Sequence, residues 1–217
     1  MVNFTYSITG TPKRMKFRQY SSCMTTVYKE IAIENTEIIA GIGQKLYTDD
    51  FHNYLNSVIS SLGSRINIIF SPTAKQARKT ALAINPPTKS LEIEAKLKKL
   101  IDYIANTVHP KYDLCLTLEN KVAYHHGHLP SHVRRVIEKA LIEKFVKDIV
   151  CTTTLMQGVN LPVQNVIVRN PDLFTRMSNN YECVKLSGYE FANLRGRAGR
   201  LLKDFIGRAF VLDEKSF

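Results

Sequence analysis

Tryptophan is absent from this 217-residue chain, and cysteine occurs only four times. The cysteines stand at positions 23, 115, 151 and 183, with no Cys-x-x-Cys pair. That spacing argues against a zinc site or a disulfide framework and leads us to expect a reducing, cytoplasmic setting. No apolar run approaches the roughly 20 residues a helix needs to cross a bilayer, so no membrane partner is expected. Residues 1–20 are broken by Thr, Pro, Lys and Arg, unlike a secretory signal. Internal repeats and low-complexity tracts are missing as well. Acidic residues are scarce: 19 Asp and Glu face 30 Lys and Arg, for a net charge of +11. The excess is +1 over residues 1–50, +4 over 51–120 and +6 over 121–217. Such a balance favours polyanionic partners, nucleic acid first. A surplus that merely keeps the chain soluble is the alternative.

What is present reads as alternating strands and helices. Residues 1–50 hold short β-like pieces (3–8 and 25–33) without a chemical motif, and we expect a linker or an edge segment there. Residues 48–62 predict a helix with Phe51, Leu55, Val58, Ile59 and Leu62 on one face. A buried strand over 65–70 follows. Ser71-Pro72 then places a capping residue before a proline, starting a helix over 73–84. Its N-terminus would expose unpaired N–H groups suited to a phosphate near Ser71 and Thr73. A cap facing only water is the alternative. A second helix is expected over 89–108, with Lys96, Lys98 and Lys99 on its solvated face. A strand over 122–124 and an amphipathic helix over 130–147 come next, with Arg134 and Arg135 outward in its first turns. Further strands are expected at 148–151, 165–168 and 206–212. This alternation is the mark of a parallel sheet flanked by helices. Four histidines (125, 126, 128 and 132) cluster, yet adjacent histidines on a strand face opposite ways. No cysteine lies near and no His-Glu-x-x-His occurs, so no metal is expected there.

Two segments carry the chemistry. Asn193-Leu-Arg-Gly-Arg-Ala-Gly-Arg200 sets three arginines among two glycines. Ser187-x-x-Glu190 just upstream is a capping box that would start a helix there. At helical spacing Phe191, Leu194, Ala198 and Leu201 share one side. Asn193, Gly196, Arg197 and Arg200 share the other. Two glycines inside a helix cost roughly 1 kcal/mol each against Ala, which suggests that a ligand comes close. Paired guanidiniums suit a polyphosphate through forked, charge-assisted bonds. A solvated basic helix is the alternative. In the second segment, Cys151-Thr-Thr-Thr-Leu-Met-Gln-Gly-Val-Asn-Leu-Pro162, threonine hydroxyls sit at a strand's carboxyl end, where open α/β sheets bind ligands. Gly158 permits a turn, and Asn160 can both donate to and accept from a ribose hydroxyl.

Together these segments resemble motifs VI and V of the superfamily-two DExD/H-box helicases. Val122-Ala-Tyr-His-His-Gly-His-Leu-Pro130, with Arg134, Arg135 and Ile137-Glu138, resembles the block before motif V in the superkiller-like branch. That branch reads His-His-Ala-Gly-Leu, whereas Gly127 and His128 stand third and fourth here. Ile66-Asn-Ile-Ile-Phe-Ser-Pro-Thr73 resembles motif IV. The four blocks follow the family's order, and position 193 carries Asn where its motif carries Gln, another amide.

The resemblance implies an α/β fold: a RecA-like parallel sheet with helices on both faces, the helicase C-terminal domain. It would cover residues 51–217, with a helical insertion at about 86–120. Arg197 and Arg200 would be catalytic arginine fingers. Gly158, Asn160, Asn193 and Gly196 would meet ATP. Ser71, Thr73, Thr152, Thr153, His126 and Arg135 would grip one strand of RNA or DNA. The sequence contains no Gly-x-x-x-x-Gly-Lys followed by Ser or Thr and no DExD/H motif, and phosphoryl transfer needs a phosphate cradle and Mg2+ as well as a finger. An N-terminal RecA-like domain, in cis or trans, is therefore expected to supply them, and this chain alone should be inactive and bind neither ATP nor Mg2+ by itself. A non-enzymatic nucleic-acid-binding module and a duplex DNA translocase domain are the alternatives.

Overall fold

A computed structural model describes residues 2–9, 14–21, 29–33, 47–63, 66–84, 94–156, 161, 163–169, 172–177, 180–195 and 208–212. Its centre is a five-stranded sheet, every neighbouring pair of which is parallel. The strands are β4 (Asn67–Phe70), β5 (Val122–His125), β6 (Asp148–Cys151), β7 (Asn165–Val168) and β10 (Arg208–Val211), in the spatial order β10-β7-β4-β6-β5. All four residues of β4, β5, β6 and β7 are buried. These runs read Asn-Ile-Ile-Phe, Val-Ala-Tyr-His, Asp-Ile-Val-Cys and Asn-Val-Ile-Val, the near-continuous apolar pattern of strands covered on both faces.

The connections decide where the helices lie. From β4 to β5 the chain moves two places one way, through α2 (Ala74–Ala83), α3 (Ala95–Thr107) and α4 (Asp113–Glu119). It then steps back to β6 through α5 (Ser131–Ile142). Right-handed crossovers in opposite directions put α5 on the face opposite α2 and α4. α2 packs on β5 and β6, α4 on β5, and α5 on β5 from its own side. The expected fold, helices on both faces of a parallel sheet, is present.

Each helix buries the stripe its spacing specifies. In α1 (Asp49–Ser61), Phe51, Leu55, Ile59 and Leu62 are buried and Val58 partly so. Thr48 caps it by accepting from the Phe51 N–H at 3.3 Å. In α3, Leu97, Leu100 and Ile104 are buried while Lys96, Lys98 and Lys99 are exposed. α5 buries Val133, Ile137, Ala140 and Leu141. It stops at Ile142, short of the expected 147, because Lys144 turns left-handed at φ 65°. The Lys144 N–H donates to Leu141 and the Phe145 N–H to Ala140, at 3.1 and 3.2 Å. That is a Schellman cap whose left-handed position ordinarily holds glycine.

Three expectations change. The cap of α2 is Thr73, whose Oγ1 accepts from the Gln76 N–H at 3.1 Å, and not Ser71. Pro72 thus precedes the cap, because Ser71 still belongs to the sheet edge. Arg134 is only half outward, with its Nη2 on Ser131 Oγ at 3.1 Å. An antiparallel hairpin, β8 (Asp172–Met177) with β9 (Asn180–Lys185), stands between β7 and the next helix, where no element was expected. Three strands lie within residues 1–50, expected as a linker or an edge segment. β1 (Val2–Thr9), β2 (Arg14–Ser21) and β3 (Lys29–Ile33) form an antiparallel sheet, and β1 lies against β10.

At the amino edge of the central sheet three strands begin with polar residues in register. Asn165 Nδ2 donates to Asn67 Oδ1 at 2.7 Å, and Asn67 Nδ2 donates to Asp148 Oδ1 at 2.6 Å. Burial pushes the Asp148 carboxyl up to about 6, against the Asn67 hydrogen bond and the nearby Lys147.

Candidate nucleic-acid interface at the carboxyl edge of the sheet

Parallel strands deliver the residues that follow them to one edge. Ser71 follows β4, Thr152 follows β6 and His126 follows β5, and these three strands are neighbours. The Ser71 N–H donates to Cys151 O at 2.8 Å, and the Thr152 N–H donates to His125 O at 3.1 Å, so the ladder continues to this edge. Ser71 is 1% exposed and its Oγ has no partner. A buried hydroxyl without a bond is costly, and here it stands at the ligand-bearing end of the sheet.

Thr152 turns the chain into a short 3-10 segment, Thr153–Met156, closed by the Leu155 N–H on Thr152 O at 3.3 Å. The Thr152 and Thr154 hydroxyls lie 3.1 Å apart. A Cβ on Gly127 would come within 3.5 Å of Thr154 Oγ1, so the loop after β5 rests directly on the loop after β6. Thr153 is half-exposed beside it. The edge thereby presents a run of hydroxyls, which suits sugar and phosphate oxygens.

The two histidines differ in kind. His125 is buried, with Nε2 3.1 Å from Glu138 Oε1 on α5. Burial lowers its pKa more than Glu138 raises it. A neutral ring that donates Nε2–H to Glu138 leaves Nδ1 as a bare acceptor, buried and without a hydrogen-bond partner. His126 is half-buried, stacked on Tyr124 with ring centroids 5.7 Å apart and edge-on to His128 at 6.0 Å. Burial, then His128 and His125, bring its pKa down to about 4. It therefore offers this edge a neutral ring and no charge.

The structure gathers Ser71, Thr152, Thr153 and His126 on one edge, with Thr73 two residues beyond Ser71 as the cap of α2. Arg135 stands apart, exposed on α5. The capping box at Ser187 is real: Glu190 N–H donates to Ser187 Oγ at 3.2 Å and Ser187 N–H to Glu190 Oε2 at 2.8 Å. It starts α6 (Gly188–Arg195), on which Leu194 is buried and Asn193 half-buried. Gly158, Asn160, Gly196, Arg197 and Arg200 lie outside the described residues. Asn193, an uncharged amide half-buried on α6, is thus the one residue assigned to ATP that falls within the described residues. Among the described residues no group of His, Cys, Asp or Glu is arranged to hold a metal ion, and no helix is long and apolar enough to cross a membrane.

Sequence reasoning missed Arg169, which follows β7 at the same edge. It is 2% exposed, and its guanidinium lies over the rings of Tyr47 and Phe51 at 4.7 and 4.8 Å. The signal was an arginine placed directly after an apolar strand. Nearby, His52 Nε2 is 3.3 Å from Thr80 Oγ1, and its pKa is lowered first by burial and then by Lys79, an effect to which Arg169 also contributes.

No protein-family model matches the chain. Individual proteins do. An ATP-dependent DNA helicase Hel308 of Methanocella arvoryzae is 32% identical over 153 residues, 67% of this chain and 20% of that protein. A DExH-box ATP-dependent RNA helicase, DExH14, of Arabidopsis thaliana is 30% identical over 161 residues, 69% of this chain and 7% of the relative. The human helicase POLQ-like is 30% identical over 154 residues, 68% and 13% respectively. The chain thus spans no more than about a fifth of the length of these curated relatives.

Proposed function

We propose, from the premise that this chain belongs to the superfamily-two DExD/H-box helicases as a C-terminal region, that it is the second motor domain of an ATP-dependent nucleic-acid helicase. Residues 51–217 form this domain, with residues 86–120 as its helical insertion. An N-terminal RecA-like domain, in cis or trans, completes it. The observation that carries the reading is the convergence of Ser71, Thr152, Thr153 and His126 at the carboxyl ends of three neighbouring parallel strands, the place where open α/β sheets take their ligands.

The residues divide by task. Ser71 and the threonine hydroxyls hold the sugar–phosphate backbone of one RNA or DNA strand at the sheet edge, helped by Thr73 and the neutral His126 ring, while Arg135, exposed on α5, meets the same strand beyond that edge. Such a grip is independent of base sequence and weakens with salt. Gly158, Asn160, Asn193 and Gly196 meet the nucleotide. Arg197 and Arg200 reach across the cleft to the charge that develops on the transferring phosphoryl group, a task in which a finger contributes about 10³ to 10⁵ in rate. When bound, ATP with Mg2+ supplies a hydrolysable phosphoanhydride, and the partner domain supplies its cradle. Two states of the cleft that grip the strand differently turn hydrolysis into stepwise movement.

The test is ATP turnover by the chain joined to such an N-terminal domain, with and without single strand. Arg197→Ala and Arg200→Ala should each abolish strand-stimulated turnover while strand binding survives. Undiminished turnover in both variants overturns the finger assignment. Strand binding without any ATP turnover in the joined protein favours a non-enzymatic module instead.

A further inference from the structure

Helices α3 and α5 approach each other through side chains, in antiparallel sense. Two contacts fix their register: Lys96 Nζ lies 3.4 Å from Glu143 Oε2, and the rings of Tyr103 and His132 meet edge to face at 6.1 Å. Between these contacts helical spacing places Lys99 on the facing stripe of α3, and Arg135 and Lys139 on that of α5. Lys99, Arg135, Lys139 and His132 are exposed, and Tyr103 is 40% exposed. The carboxylate on these stripes is Glu143, which Lys139 shares at 3.8 Å. Lys99 and Arg135 make no ion pair among the described residues. Four long cationic side chains therefore lie around Glu143, with Asp102 and Glu138 three residues beyond Lys99 and Arg135 and an aromatic pair at one end. That end is the first turn of α5, which is reached from β5 through residues 126–130. The seam opens onto the hydroxyl-lined edge.

We propose that the α3–α5 seam is a second strand-binding track, on which Lys99 and Arg135 meet phosphates of a single strand as it leaves the sheet edge and Tyr103 stacks one base. The proposal rests on the sheet-edge reading of the strand path and extends it. Lysine and arginine on adjacent helices neutralise backbone phosphates without reading sequence, and an exposed aromatic supplies the sequence-tolerant contact that single-strand sites use. The Lys96–Tyr103 separation, two helical turns or about 10 Å, gives the seam room for more than one phosphate. A helical insertion with this lining does more than fill space beside the sheet.

Binding of fluorescent oligothymidylate by the chain, at two salt concentrations, tests the idea. The lengths are about five nucleotides, enough for the edge alone, and about twenty, enough for edge and seam. Lys99→Glu with Arg135→Glu should weaken the long oligomer about tenfold at low salt. It should also flatten its log–log salt slope by about 1.4, two single-strand phosphates' worth, and leave the short oligomer unchanged. The neutral pair Lys99→Ser and Arg135→Ser, which perturbs the fold less, should show a smaller loss of the same kind. Tyr103→Ala should weaken the long oligomer about fivefold or more and leave inorganic polyphosphate binding unchanged. An intact long-oligomer affinity and slope in both double variants overturns the seam and leaves the sheet-edge reading standing. Absence of short-oligomer binding in the unmodified chain, beside a long-oligomer affinity that still falls in the variants, overturns the sheet edge and supports the seam alone. Equal losses of Tyr103→Ala on strand and polyphosphate overturn the stacking contact.

Discussion

Replacing Asp148 by asparagine should change how stability depends on pH. The folded protein holds this carboxyl at about 6, against an ordinary 3.8, because it is buried at the amino edge of the sheet. The sign follows from proton counting. Between about pH 4 and 6 the unfolded chain has released the proton that the folded chain keeps, so stability falls as pH rises through this window. The full loss is about 3 kcal/mol, from 1.36 kcal/mol per unit of pKa difference. Roughly half of it falls between pH 5 and pH 8. The substituted side chain in Asp148→Asn would keep the oxygen that accepts from Asn67 Nδ2 at 2.6 Å, so the polar row across β7, β4 and β6 survives while the titration disappears. Urea unfolding followed by circular dichroism at pH 5 and pH 8 measures the effect. The stability of Asp148→Asn relative to the unmodified chain should rise by about 1 to 2 kcal/mol from the lower to the higher pH. A difference that stays constant across this range would refute the argument that burial, rather than the Asn67 bond, governs this group.

Thr73→Ala removes the α2 cap and should cost about 1 kcal/mol. Ser71→Ala, which deletes a buried hydroxyl with no partner, should cost less than about 0.5 kcal/mol; chemical denaturation ranks the two. Lys144→Gly relieves a left-handed residue at the end of α5 and should stabilise by about 0.5 to 1 kcal/mol, seen as a higher urea midpoint with an unchanged m-value. Arg169→Lys replaces a flat cation over Tyr47 and Phe51 with a more strongly hydrated ammonium and should lower stability by about 1 to 2 kcal/mol, against little change for the exposed Arg135→Lys.

The central sheet was readable because its strands are short apolar runs bounded by turn residues, and because helical spacing in residues 49–61, 95–107 and 131–142 marked one buried face each. The capping box at Ser187 needed only its four-residue pattern. Finer points depended on tertiary contacts. Ser71 looks like a cap in isolation, yet its N–H is claimed by Cys151 across the sheet, which passes the capping role to Thr73. The β8–β9 hairpin lacks an Asn-Gly or Asp-Gly turn and strict apolar alternation, so no local signal announced it. Arg169 gave no sign that two aromatic rings from residues 47 and 51 would cover it. His126 and Thr152 were identified through a motif resemblance; their meeting at one edge is a product of strand order, which no single segment encodes.

Both outer strands of the five-stranded sheet are shielded. α4 packs on β5, α3 reaches from α4 to α5 around it, and β1 lies against β10. In each case the covering element comes earlier in the chain than the strand it covers. A polypeptide emerging from the ribosome amino end first would have α3 and α4 in hand before β5 appears, and β1 long before β10. An uncovered strand is a template for pairing with another chain, most dangerous during slow assembly of parallel sheets. The order of this sequence keeps that template from standing open while the protein is being made.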